Sequence, residues 1–156
     1  MVIYKDNKFK FNELFNEKNG LLIRSNVIDS NGKETKEKPL MRSFPELMDI
    51  GIMGTCHVKA KYCKTFGITC YQGDIIEDNM DLNFYKEIVE QVKNRVFQIA
   101  LGGRGDPNKH ENFEEILKIT RENNIIPNLT TTGIDLTQKE IGLIKEYCRC
   151  YCNFFI

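Results

Sequence analysis

The 156 residues are enough for one ordinary domain with a real core and too few for two. With 41% hydrophobic and 28% charged residues the composition is globular, which excludes a disordered chain, and no apolar run approaches the roughly 18 residues of a membrane-spanning helix. Lysine plus arginine equals aspartate plus glutamate at 22 each, so no basic field argues for nucleic acid.

The opening "MVIYKDNKFKFNELF" lacks the apolar stretch of a signal peptide, and a cytoplasmic protein is the expectation. Residues 1–45 read as an irregular, polar N-terminal extension, with "DSNGKETKEKP" marked as a loop by its Asn-Gly pair, its charge and its proline. The regular pattern starts after Pro45. "ELMDIGIMG" is a short apolar run ending in glycine, a buried-strand candidate. "DLNFYKEIVEQVK" places Leu82, Tyr85, Ile88, Val89 and Val92 at helical spacing behind a capping Asp81. "RVFQIALGG" is a second strand. "ENFEEILKITREN" is a second helix with Phe113, Ile116, Leu117 and Thr120 on one face. "IIPNLTTTG" is a third strand, with Pro127 near its start. "LTQKEIGLIKEYC" is a third helix opened by a capping box, Thr137 with Glu140.

This order repeats β-loop-α three times, which predicts an α/β fold with parallel strands and right-handed crossovers. Ligands of such folds sit at the carboxyl ends of the strands. Three marked loops fall there: the cysteine loop after the first strand, "GGRGDP" after the second and "TTTG" after the third. They are expected to converge.

The first loop, "GTCHVKAKYCKTFGITCYQGD", holds Cys56, Cys63 and Cys70 with six residues in each gap. In a reducing compartment clustered cysteines bind metal or do chemistry more often than they pair. Three thiolates suit an iron–sulfur cluster with one iron left open. They also suit a zinc site with His57 as the fourth ligand, or unliganded and redox thiols. The glycines of "LGGRGDPNKHENF" let the backbone approach a carboxylate or phosphate, or form a plain strand-to-helix turn with Asp106-Pro107. The spacing is not that of a dinucleotide fingerprint. His110 falls near the helix start, as a polar cap neighbour. The hydroxyls of "TTTG" can hydrogen-bond a ligand or cap a turn.

Taken together, "FPELMDIGIMGTCHVKAKYCKTFGITCYQGD", "FQIALGGRGDPNKHENFEEILK" and "PNLTTTGIDLT" resemble the radical S-adenosylmethionine enzymes over residues 44–148. The resemblance implies a [4Fe–4S] cluster on Cys56, Cys63 and Cys70, with S-adenosylmethionine chelating the open iron through its amino and carboxyl groups. It implies that Gly102, Gly103, Gly105, Asp106 and Pro107 cover the family's GGEP-like motif, matched either by "GG" or by "GDP". It implies that "TTTG" (residues 130–133) corresponds to a "TTNG" strand end, which makes Thr131 and Thr132 cofactor-binding. The implied chemistry is reductive cleavage to a 5′-deoxyadenosyl radical that attacks an unknown substrate, a peptide or a small molecule. A reductant such as flavodoxin or ferredoxin is implied as partner, and neither nucleic acid nor a membrane. The alternative is a non-catalytic zinc or iron–sulfur protein, or an inactive relic. The family's usual spacing is C-x3-C-x2-C, and this chain has C-x6-C-x6-C. Phe66 and Tyr71 are the aromatic candidates for the adenine side, with core packing as the other fate of either ring.

The family's barrel has six βα units. The chain reads as about three, a partial barrel over residues 46–148, followed by an aberrant tail at 149–156. "RCYCNFFI" shows no strand period where a fourth strand belongs. Read one base along with suitable codons, it becomes "GAIAISL", a well-formed strand. The expectation is therefore a truncated N-terminal half with a frame-shifted end, in which Cys150 and Cys152 are not evolved ligands and turnover is slight or nil.

Overall fold

The structure, a computed structural model, describes residues 2–6, 11–16, 18, 21–24, 31, 44–58, 67, 70–148 and 150–153. The chain divides into two units, Met1–Glu46 and Leu47–Ile156.

The first unit corrects the expectation of an irregular extension. It contains a three-stranded antiparallel sheet of β1 (Val2–Asp6), β2 (Phe11–Asn16) and β3 (Leu21–Arg24), paired in sequence order. The alternation that announces a strand is spoiled in β2 because Glu13 is as fully buried as Phe15. An inward carboxylate does not read as an inward position.

The second unit holds a four-stranded, all-parallel sheet in the order β4 (Leu47–Gly51), β5 (Gln98–Gly102), β6 (Ile126–Thr131) and β7 (Cys150–Asn153). Among the described residues this sheet is not closed into a barrel. The helices α1 (Leu82–Val92), α2 (Phe113–Glu122) and α3 (Gln138–Tyr147) make the crossovers. In α1 the Asp81 side chain caps by accepting from Asn83 N at 2.9 Å and Phe84 N at 3.0 Å. Thr137 and Glu140 form the reciprocal capping box on α3. α1 packs on α2, and α2 packs on both α3 and β6.

The buried layer is the one the periodicity marked: Tyr85, Val89 and Val92 from α1, and Phe113, Ile116 and Leu117 from α2, with Ile50, Ile99, Leu101 and Leu129 from the strands. Two polar groups inside it pair with each other. The Tyr85 hydroxyl meets Thr120 Oγ1 at 2.7 Å, while Thr120 donates to the Ile116 carbonyl at 2.6 Å. With the threonine hydrogen spent, the tyrosine is the donor, and burial pushes its phenol up to about 12.

The segment without strand period nevertheless pairs as β7, in parallel register with β6, Cys150 opposite Asn128 and Cys152 opposite Thr130. Ladder bonds join backbone groups, so a crossover helix delivering the chain to the sheet edge suffices where side-chain alternation is lacking.

Candidate functional site

The carboxyl ends of β4, β5 and β6 bring the three marked loops together, as the topology required. The first contact is between backbones. Gly105 has φ +67°, and a Cβ added to it would meet the Thr55 carbonyl oxygen at 2.7 Å and Cys56 Cα at 3.3 Å. The second loop therefore presses a side-chain-free residue against the first cysteine.

Asp106 makes the second contact. It is buried, its Oδ1 accepts from Thr132 N at 2.9 Å, and its Oδ2 accepts from the Thr132 hydroxyl at 2.5 Å. Oδ2 also lies 3.6 Å from His57 Nε2, just outside hydrogen-bond reach. Both ring nitrogens of His57 are buried without a hydrogen bond among the described residues. One carboxylate thus touches the cysteine loop on one side and the "TTTG" end of β6 on the other.

Around this clasp the remaining polar groups are committed to structure. Pro107 opens a short 3-10 turn and is buried with Asn108. Thr131 donates to Asn108 Oδ1 at 3.0 Å, and Asn108 Nδ2 donates to Glu140 at 2.9 Å. Burial alone would raise the Glu140 carboxyl. Hydrogen bonds from Asn108, Thr137 and Lys109 outweigh it and hold the group at about 2. Asn108 and Glu140 carried no chemical signal in the sequence beyond the capping box, yet they anchor the β6 end to α3. His110 sits before α2 as expected. Its Nδ1 accepts from Asn112 N at 3.0 Å, so Nε2 carries the proton it shares with the Met80 carbonyl, also at 3.0 Å.

The base of the cysteine loop is closed by bonds between its two arms. Met80 N donates to Ile52 O at 2.9 Å, Gly54 N to Asn79 Oδ1 at 3.1 Å, and Thr55 exchanges hydrogen bonds with the Glu77 backbone. Arg104 reaches over from the second loop to Gly54 O at 2.9 Å and to Glu77. A cavity of about 240 Å³ lies against this base, with Ile52, Met53, Gly54, Met80 and Phe84 among its walls. That is below the roughly 300 Å³ at which drug-sized sites begin, so it does not by itself seat a nucleoside-sized ligand.

Of the three cysteines, Cys56 and Cys70 are described. Both are free thiols and half-buried. Cys63 and Phe66 lie outside the described residues, and Tyr71 is placed in a 3-10 turn, Tyr71–Asp74. Among the described residues no three His, Cys, Asp or Glu side chains converge as a metal-ligating group. Gly102 is buried at the end of β5, while Gly103, at φ +87°, is exposed beside it. Among the described residues no helix is long and apolar enough to cross a membrane.

No family model and no curated protein matches the sequence of this chain. Solved structures match its fold. BtrN in complex with AdoMet and 2-DOIA is 20% identical with a TM-score of 0.53, over 69% of this chain and 44% of its own. Streptococcus suis SuiB bound to S-adenosylmethionine is 18% identical with a TM-score of 0.51, over 67% of this chain and 22% of its own. SuiB bound to precursor peptide SuiA is 16% identical with a TM-score of 0.55, over 78% and 30%. The chain spans less than half the length of each. BtrN and SuiB are radical S-adenosylmethionine enzymes, and the partial α/β fold of this chain is the one they share with it.

Proposed function

We propose that this chain carries the cluster-binding end of a radical S-adenosylmethionine enzyme, with Cys56, Cys63 and Cys70 as ligands of a [4Fe–4S] cluster. The observation that carries the reading is the convergence of a free-thiol loop with two glycine- and threonine-bearing strand ends, on a fold shared with structures holding S-adenosylmethionine. The donor set fits: Cys56 and Cys70 are unpaired, soft and half-buried, at opposite ends of a loop whose base is stapled shut. When bound, the cluster supplies the electron that splits the sulfonium of S-adenosylmethionine.

The chain's own residues position that cofactor. Gly103 offers exposed backbone to the methionine end, beside Gly102. Asp106 and Thr132, spent on each other, keep the second and third loops in register, while Gly105 sets the Cys56 backbone. Pro107 and Thr131 support that arrangement from the 3-10 turn and the end of β6. The substrate is a small molecule or a peptide; BtrN is seen with 2-DOIA and SuiB with a precursor peptide. A reducing cytoplasm and a flavodoxin- or ferredoxin-like donor complete the reading.

The test is anaerobic purification with iron and sulfide. A brown protein with about four irons per chain is expected. Reduced protein plus S-adenosylmethionine should release 5′-deoxyadenosine, and Cys63→Ala should abolish both the colour and the product. A colourless protein holding one zinc per chain would sink the proposal in favour of a zinc module.

A further inference from the structure

Asp106 carries a buried negative charge with neutral partners. It is 3% exposed, and Thr132 supplies both of its hydrogen bonds, the backbone N–H to Oδ1 at 2.9 Å and the hydroxyl to Oδ2 at 2.5 Å. A buried carboxylate normally keeps a cationic or strongly polar N–H partner as well. Among the described residues His57 is the one basic side chain close to it, with Nε2 3.6 Å from Oδ2. His57 has the complementary shortage. Both of its ring nitrogens are buried, and neither makes a hydrogen bond among the described residues. A neutral imidazole still carries one N–H, and a buried donor without a partner is rare in folded proteins.

One small movement satisfies both groups. The His57 side chain is 27% exposed, so it has room to turn. A shift of about half an ångström brings Nε2 to the ordinary N–H···O length of about 3.0 Å. Oδ2 can accept this bond beside the one from Thr132, since a carboxylate offers about four lone-pair sites. The position of the pair gives it a consequence. Arg104, Gly105 and Asp106 run alongside the segment from Gly54 to His57. Arg104 donates to Gly54 O at 2.9 Å, Gly105 lies against Thr55 and Cys56, and Asp106 faces His57. Cys56 is thus flanked by a backbone contact at its own Cα and a side-chain contact at the next residue. The same carboxylate reaches Thr132, past the end of β6.

We infer that His57 is a positioning residue: its Nε2–H donates to Asp106 Oδ2 and fastens the cysteine loop, at the residue after Cys56, to the loops that follow β5 and β6. The bond fixes the ring as the Nε2–H tautomer and leaves Nδ1 as an acceptor. It also sets a hydrogen-bond donor between Cys56 and the Asp106 charge. The inference deepens the functional reading by giving this site a residue that orients a cluster ligand, and it rests on that reading only for the cluster.

The bond is read first on the cluster-free 156-residue chain, at one fixed pH, by long-range ¹H–¹⁵N NMR of the histidine rings. The His57 proton is expected on Nε2, exchanging with water about tenfold or more slowly than that of a solvent-exposed ring. His57→Phe keeps a ring and removes the donor. Amide exchange at Thr132, on another loop, should then rise about tenfold with α1 unaffected. His57→Gln, whose amide nitrogen can stand in for Nε2, should restore most of the protection. In an Asp106→Asn background His57→Phe should add nothing further. A proton on Nδ1, unchanged exchange at Thr132 or full additivity overturns the inference. The second reading is the midpoint potential of the loaded cluster without S-adenosylmethionine, followed by EPR. His57→Phe leaves the Asp106 charge uncountered and should lower the midpoint, while Asp106→Asn should raise it. Each shift should be about 59 mV, the one-electron equivalent of a tenfold change. Shifts of the same sign would mean that both variants only loosen the loop, and they overturn the inference. A chain that shows the bond but never loads a cluster leaves this inference standing and the functional reading fallen.

Discussion

Gly105 approaches Cys56 so closely that a Cβ on it would stand 3.3 Å from the Cys56 α-carbon and 2.7 Å from the carbonyl oxygen of Thr55. Both neighbours are backbone and cannot swing away, and φ at Gly105 is +67°. Gly105→Ala should therefore cost about 1–3 kcal/mol of stability in urea unfolding, because it combines a left-handed backbone with a clash. It should also lower the iron loaded per chain, since the displaced strand of backbone carries Cys56. Wild-type stability together with wild-type iron content would show that the contact does not set the loop.

The Asp106–Thr132 clasp makes a second prediction. Asp106→Ala removes acceptors from Thr132 N and the Thr132 hydroxyl in a buried place. A buried donor left unpaired costs about 1–3 kcal/mol. Amide hydrogen exchange should speed up selectively at Thr132 and Gly133, with α1 unaffected. Uniform acceleration across the unit would mean that the clasp only adds global stability.

At the start of α1, Asp81 accepts from two otherwise orphaned backbone N–H groups. Asp81→Ala should cost about 1 kcal/mol, and Asp81→Ser should recover most of it. A denaturation midpoint unmoved by either change would remove the cap from the account.

These caps are also where the sequence was most legible. Asp81 and the Thr137–Glu140 pair announced helix starts at the residues where the structure has them, because capping is local chemistry. The parallel topology followed from alternating elements, and with it the convergence of the three loops. Other features depended on long-range burial. Glu13 faces inward in β2, so the antiparallel sheet of the first unit showed no alternation. β7 forms by backbone pairing against β6, where Tyr151 and its cysteine neighbours give no period. Within the site, the hydroxyls of Thr131 and Thr132 donate to Asn108 and Asp106, partners on another loop that the sequence alone does not pair with them. That Asp49 and Thr130 lie beside Gly102 follows from the strand register and not from either stretch read alone. The same register could have been drawn from the alternation of "LMDIG" and "QIALG", had the two strands been aligned through their terminal glycines.

The Glu140 carboxyl, held at about 2 by Asn108, Thr137 and Lys109 against the opposing effect of its burial, makes stability depend on pH. A carboxyl depressed in the folded state binds fewer protons there than in the unfolded chain. Its contribution is fully present above the unfolded value, about 4.3, and is lost as pH falls from there toward 2. Glu114, lowered to about 2 by hydrogen bonds from Lys118 and Lys139, titrates in the same window, so the two overlap. Urea midpoints measured across this interval should fall with pH in the wild type. Glu140→Gln should start lower at neutral pH and decline less steeply, with Glu114 responsible for part of the slope that remains. A variant with the full wild-type slope would show that Glu140 does not link the β6 strand end to α3 through its charge.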